Sequence, residues 1–181
     1  MSASAQGVEM PPVEELDRLE ADQCAGALAP LFEGVPRFVA RLVAARPFGS
    51  SEGLFAQARE IARWMPEDEQ IELVDAHPRL GAPPGSVSAF SYREQGFDRD
   101  AADVAAEDER RQIGSELTRL NAVYEGRFGF RFCIFVAGRS RADLLHVLRE
   151  ALKAERGSEL VRAVAAVIDI AEDRYMGSSA R

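Results

Sequence analysis

Between its prolines this chain carries apolar residues at every third or fourth position, the spacing that sets one face of an α-helix against a core. Val13 to Leu19 reads as a short helix, and Asp22 as the N-cap of a second one running through Cys24, Leu28, Leu31 and Phe32. Pro36 interrupts; Val35, Phe38, Val39, Leu42 and Val43 then form a stripe that Arg46-Pro47 closes. Ser51 and Glu52 open a helix whose inward face is Leu54, Phe55, Ala58, Ile61, Ala62 and Met65, and Pro66 stops it. From Glu67 a helix with Ile71, Leu73 and Val74 inward runs into His77-Pro78. Further on, Asp108 to Tyr124 places Ile113, Leu117, Leu120 and Val123 on one side. Ser140 caps a helix with Leu144, Leu145, Leu148 and Leu152, and Gly157-Ser158 separates it from a last one carrying Leu160, Val164, Val167, Ile168 and Ala171.

The run from Arg127 to Val136 breaks this pattern, because its aromatic and β-branched content favours extended chain. A lone strand has no partner to pair with, so it is expected as an extended aromatic segment packed inside a helical body. The fold class is therefore all-α: one multi-helix domain of about seven or eight helices over residues 13–181, behind a loose tail over residues 1–12 that ends in Pro11-Pro12.

Composition narrows the partners. With 46% hydrophobic and 29% charged residues in 181, the chain is ordinary globular material, enough for one core. Thirty acidic residues against twenty-two basic give a net charge of −8, which argues against a nucleic-acid backbone or an anionic membrane as the partner. Small anions remain compatible, since local arginines outweigh a distant net charge. Cys24 and Cys133 have neither a metal-binding nor a redox spacing, and the N-terminal stretch has Glu9, Glu14 and Glu15 where a signal peptide needs a basic start. A cytoplasmic protein is expected.

No phosphate loop, dinucleotide fingerprint, nucleophile elbow or His-x-x-x-His pair is present. The candidate chemistry lies around His77, one of two histidines, which the following proline places at an exposed helix end. Nearby, Ser91, Glu94 and Gln95 cluster across a linker carrying Pro83, Pro84 and Gly85. Each has a plainer reading. His77 suits a helix C-terminus through the dipole, Ser91-x-x-Glu94 is a capping box, and His146 sits on a charged helix as a structural residue. The Phe128–Phe135 run is equally readable as core.

Taken together, three motifs resemble the 2-oxo-4-hydroxy-4-carboxy-5-ureidoimidazoline (OHCU) decarboxylase family of purine catabolism. They are His77-Pro78-Arg79-Leu80-Gly81, Ser91-x-x-Glu94-Gln95-Gly96-Phe97-Asp98 and Leu120-Asn121-x-x-Tyr124-x-x-Arg127-Phe128-Gly129-Phe130-x-Phe132. Leu31-Phe32-Glu33-x-x-Pro36 and Arg46-Pro47-Phe48 extend the likeness, which runs from about Glu15 to Tyr175. The resemblance implies an all-helical homodimer without metal or organic cofactor that converts OHCU to S-allantoin with loss of carbon dioxide. By motif position His77 is then the catalytic acid/base and Glu94 its carboxylate partner. Pro78, Ser91, Gln95 and the backbone of Phe132, Cys133, Ile134, Phe135 and Val136 line the substrate pocket. Tyr92 and Arg93 fall in the same binding stretch with no side-chain role assigned.

The residue types suit that reaction. The electron pair left by decarboxylation passes into the unsaturated ring, so the protein has to supply geometry and a proton on one face. A histidine near its ordinary pKa of about 6.5 exchanges protons at neutral pH, and a carboxylate beside it fixes its tautomer. Ser91, Gln95 and backbone amides match a planar, urea-rich ligand. The chain also departs from the family pattern: Arg131 stands where many relatives have proline, Ala137 where they have arginine, and Gly34 where a histidine often follows the Phe-Glu pair. Ala137 and Arg131 keep in view a same-fold enzyme for another ureido or hydantoin-like acid; the other alternative is a non-catalytic helical interaction module, in which Ser91-x-x-Glu94 is only a cap and the aromatic run is a partner surface.

Overall fold

The computed structural model describes residues 10–82 and 107–179, with side chains described over 10–82 and 111–178. Eight α-helices and one 3₁₀ turn occupy these residues, and no strand occurs among them. In chain order they are α1 (Val13–Leu16), α2 (Ala21–Leu28), the 3₁₀ turn (Ala29–Phe32), α3 (Pro36–Ala44), α4 (Ser51–Trp64) and α5 (Glu67–Asp75). After the second described stretch begins come α6 (Glu107–Phe128), α7 (Arg141–Ala151) and α8 (Arg156–Ser179). None of the described helices is long and apolar enough to cross a membrane.

The last helix is the one the others pack on. Leu160, Ala163, Val164, Ala166, Val167, Ile168, Ile170, Ala171 and Tyr175 are all buried, so α8 is apolar round most of its circumference. It meets α4, α5 and the 3₁₀ turn, while α2 and α3 pack on each other and α3 on α4 and α5. The long α6 pairs with α7. Phe32, Phe38, Phe55, Tyr124, Phe128, Phe130 and Phe132 fill the space between these layers. Burying a side chain of that size contributes about 1.5–3 kcal/mol.

Most of the expected helices are present, and the differences have local causes. The packed chain starts before Val13: Met10 is buried and the Tyr175 hydroxyl donates to Pro11 O at 3.1 Å, so the last residues of the expected tail belong to the body. Glu20, not Asp22, is the N-cap position of α2, and Asp22 sits inside the first turn where a negative charge meets the helix dipole. Ser50 rather than Ser51 caps α4, its hydroxyl accepting from Gly53 N at 3.1 Å. Ser140 caps α7 as expected, in a capping box with Asp143. Gly157 and Ser158 do not separate two helices; they lie in the first turn of α8. On α6 the inward face is Leu117, Leu120, Asn121, Tyr124 and Phe128, and Val123 is exposed. A buried asparagine and tyrosine displaced the valine because both find hydrogen-bond partners inside.

Gly129, at φ 79°, ends α6 with its N–H donating to Glu125 O at 2.9 Å, a left-handed stop that suits glycine. Beyond it, residues 131–136 carry neither helix nor paired strand, as the sequence predicts, but Arg127 and Phe128, expected in the extended run, are the last residues of α6. Phe128, Phe130 and Phe132 are all buried, with Tyr124 ring centroids 4.6, 5.8 and 5.2 Å from theirs. These rings are core and offer no exposed partner surface, which removes the footing of the interaction-module reading.

Candidate active site

His77 lies two residues past the end of α5, in the turn that Pro78 continues. Its N–H donates to Val74 O at 3.2 Å, and ring Nδ1 stands 3.4 Å from Leu73 O. The expectation of an exposed helix end is wrong: His77 is only 4% exposed, with Arg174 of α8 and Glu33 after the 3₁₀ turn close enough to act on its charge. Nδ1 faces a carbonyl, which can only accept, so Nδ1 carries the hydrogen and Nε2 the lone pair. Nε2 is fully buried and has no hydrogen-bond partner among the described residues. Buried polar atoms are almost always paired, and among the described residues Nε2 shares this unusual state with Gln57 Oε1 and Asn121 Oδ1.

The electrostatics agree. Burial pushes the His77 pKa down from 6.5 to about 4, the Arg174 guanidinium pushes the same way, and the Glu33 carboxylate partly opposes both. At neutral pH the imidazole is therefore uncharged, in contrast to the near-ordinary histidine expected from the sequence. Arg174 was not anticipated. It projects from α8 with 3% exposure, donates to Leu31 O at 3.1 Å and Pro30 O at 3.3 Å, and pairs with Glu33 Oε1 at 2.7 Å. In the sequence it is one of several charged residues of α8, with Glu159, Arg162, Asp169, Glu172 and Asp173, and nothing there singles it out. Glu33 stood in a motif but had no role assigned.

The extended segment faces the same turn. Arg131 joins the two, its backbone N–H donating to Asp75 Oδ1 at 2.7 Å and its guanidinium to the carbonyls of Asp75 and His77. Downstream, Cys133 O accepts from Arg162 of α8 at 2.9 Å, and the carbonyls of Phe135 and Val136 accept from Arg139. The carbonyls of Cys133, Phe135 and Val136 are thus taken, whereas no backbone carbonyl among the described residues accepts from the amides of Ile134, Phe135 or Val136. Phe132 and Cys133 point into the core, Val136 is buried, and Ile134 and Phe135 are half-buried, so this stretch presents backbone rather than side chains.

On the α6 side of the turn lies a hollow of about 530 Å³ walled by Pro78, Leu80, Thr118, Asn121, Glu125 and Arg131. Asn121 Nδ2 donates to Leu80 O at 2.9 Å, and Arg79 grips Glu125 with two bonds of 2.6 and 2.8 Å. These bonds fix the His77-Pro78-Arg79-Leu80-Gly81 turn onto α6. Gly81 sits at φ 79° with a side chain excluded by Leu117 3.1 Å away, so the turn needs glycine there. Among the described residues the structure thus joins the His77-Pro78 turn to the extended segment through Arg131, while the hollow is walled by Pro78 and Arg131 and not by His77 or residues 132–136. Ser91, Tyr92, Arg93, Glu94 and Gln95 lie outside the described residues. His146 is exposed on α7, away from this site.

Residues 17–176 match the family model described as OHCU decarboxylase. The chain belongs to the OHCU decarboxylase family. Within or alongside it, the chain is 30% identical to the Bacillus subtilis uric acid degradation bifunctional protein PucL over 90% of its own length and 31% of that protein's. It spans about a third of the length of the bifunctional Bacillus relatives. Against the 2-oxo-4-hydroxy-4-carboxy-5-ureidoimidazoline decarboxylase of Haloferax volcanii the identity is 24%, covering 90% of this chain and 92% of that one. A crystal structure of OHCU decarboxylase in the presence of (S)-allantoin shares the fold with a TM-score of 0.67 at 23% identity, covering 90% of this chain and all of the other. The family's all-helical architecture is the one described above. The motifs quoted from the sequence fall within the matched span.

Proposed function

We propose that this chain is an OHCU decarboxylase, releasing carbon dioxide from 2-oxo-4-hydroxy-4-carboxy-5-ureidoimidazoline and forming S-allantoin. The observation that carries the reading is the buried, neutral His77, its Nε2 without a partner among the described residues, on the turn that holds the family motif. As the bond from C4 to the carboxylate breaks, carbon dioxide leaves and the electron pair enters the adjoining C=N of the ring. Nε2 accepts the proton of the 4-hydroxyl, the C4 oxygen becomes a carbonyl, and the imidazolium returns that proton to C5. A second proton from solvent goes to the ring nitrogen, so one proton is consumed for each carbon dioxide released. Because His77 is fixed on one side of the ring, C5 is protonated from one face and the product has one hand.

The histidine's surroundings suit both halves of this cycle. Without substrate, burial and Arg174 keep the imidazole neutral and ready to accept. The substrate's carboxylate, with Glu94 as partner, favours the protonated form once it is bound. The amides of Ile134 to Val136, with Ser91 and Gln95, hold the ureido and ring carbonyls. Proton transfer of this kind contributes about 10²–10⁴-fold, and placement of the carboxylate out of the ring plane supplies the rest. No metal or organic cofactor enters the scheme. A homodimer in the cytoplasm completes the reading, and size-exclusion chromatography with light scattering checks the dimer.

The test uses freshly generated OHCU, which also decays unaided, and follows rate and optical rotation together. Wild-type protein should accelerate decay and give S-allantoin, and His77→Asn should fall by at least about 10²-fold and give racemic product with an unchanged helical circular-dichroism spectrum. A His77→Asn variant with wild-type rate and handedness would refute the assignment. Ala137, exposed at φ 50° and uncharged, keeps a second substrate class in view. Turnover of related ureido acids measured beside OHCU separates the two.

A further inference from the structure

Arg131 has no counterpart in the proposed chemistry, and its side chain turns toward the backbone of the His77 turn. Its guanidinium Nη1 donates to Asp75 O at 2.6 Å and to His77 O at 3.0 Å, and its own N–H donates to the Asp75 carboxylate at 2.7 Å. Asp75 is the last residue of α5, so its carbonyl is one of those a helix leaves unpaired, and a cation there also meets the negative end of the helix dipole. Two unsatisfied carbonyls and one carboxylate of the turn are thus tied to a single residue of the extended segment.

That residue stands directly before Phe132. From Phe132 onward the segment is fixed from the other side: the Phe132 ring packs on Tyr124, Arg162 lies 5.1 Å over it, and Arg162 holds Cys133 O. The far end of the segment is therefore anchored to α6 and α8, and Arg131 alone among the described residues bonds it to the backbone on both sides of Ala76. Among the described residues the His77 ring has only the long contact from Nδ1 to Leu73 O as a hydrogen bond to orient it. Its position relative to the amides of Ile134 to Val136 depends on where its backbone is held.

We propose that Arg131 is a positioning residue that keeps His77 in register with the substrate-facing backbone of Ile134 to Val136. The inference rests on the decarboxylase reading above. It accounts for an arginine at a position where a proline, which has neither an N–H nor a cation, cannot make these three bonds. Loss of the tie leaves both halves of the pocket intact but free to shift against each other, and a displacement near 1 Å is enough to cost about 10²-fold in rate.

The experiment compares wild type, Arg131→Met, Arg131→Lys and His77→Asn on OHCU, with helical circular dichroism and thermal midpoints taken in parallel. Arg131→Met should lose about 10- to 100-fold in kcat with KM changed less than about threefold, and should release a larger racemic fraction. Arg131→Lys, which keeps a cation within reach of the two carbonyls, should recover part of kcat and of the handedness; should the Met variant not fold, the Lys variant against wild type decides the question. Wild-type kcat and handedness in Arg131→Met, or loss of kcat and KM together in step with thermal stability, would overturn the positioning role while wild type and His77→Asn still behave as a decarboxylase and its dead variant. If wild type itself neither accelerates nor biases the reaction, the decarboxylase reading falls and this inference with it.

Discussion

Helix α8 contributes to two arginine–glutamate pairs, each with one buried member, that serve different ends. At its N-terminal end Glu159 is consumed completely: Tyr124 OH donates to it at 2.6 Å, Arg162 grips both of its oxygens, and the remaining Arg162 nitrogen goes to Cys133 O. Burial and Glu159 together push the Tyr124 hydroxyl well above the usual range, so it stays a donor. Every polar group there has a partner, and the result is a rigid support for the extended segment. Toward the other end Arg174 and Glu33 also pair, yet they act on a neutral imidazole whose Nε2 has no partner among the described residues. A saturated network holds shape, whereas one with an unpaired nitrogen left over is equipped to bind and transfer a proton.

The contrast is sharpest in stability. Glu159→Ala leaves the Arg162 charge and the Tyr124 hydroxyl without their shared partner, and should cost about 3–5 kcal/mol in urea denaturation. The same variant should not move the titration of His77, and a change in both would join the two regions that are separated here. For His77 the sign is fixed by its depressed pKa. The unfolded chain binds its proton near pH 6.5 and the folded one only near 4, so stability present above 6.5 is lost as pH falls through that window, by about 3 kcal/mol. His77→Gln should lack that share of the acid sensitivity, read as the difference between the two proteins' unfolding free energies at pH 7 and pH 4.5. Arg174→Met, by removing a cation beside the ring, should raise the His77 pKa. Smallest is Tyr124→Phe, which deletes one hydrogen bond to a carboxylate and should cost about 1.5–3 kcal/mol with the catalytic handedness unchanged.

Local pattern carried much of this architecture into view before any coordinates. Prolines 36, 47, 66 and 78 and the apolar stripes between them placed the helices, and the aromatic run after Gly129 was legible as unpaired extended chain within a helical body. What stayed hidden depended on contacts between distant stretches. His77 is buried, and Arg174 and Glu33 act on it from opposite ends of the chain. No spacing rule along the sequence reports such a meeting. Val123 was misplaced for a related reason: periodicity counts apolar residues, whereas α6 turns inward Asn121 and Tyr124, whose partners Leu80 and Glu159 lie on other elements. Arg131 looked like a stray substitution until its bonds to Asp75 and His77 were visible.

The account turns on the charge and tautomer of a single ring. With His146, exposed on α7, replaced by glutamine, nitrogen-15 NMR of labelled histidine reports His77 alone across a pH titration. The predicted result is a neutral imidazole protonated at Nδ1 down to a midpoint near pH 4, with its Nε2 resonance shifting when (S)-allantoin is added. A midpoint near 6.5 with no response of Nε2 to allantoin would contradict the buried, open-nitrogen histidine on which the proposed reaction depends.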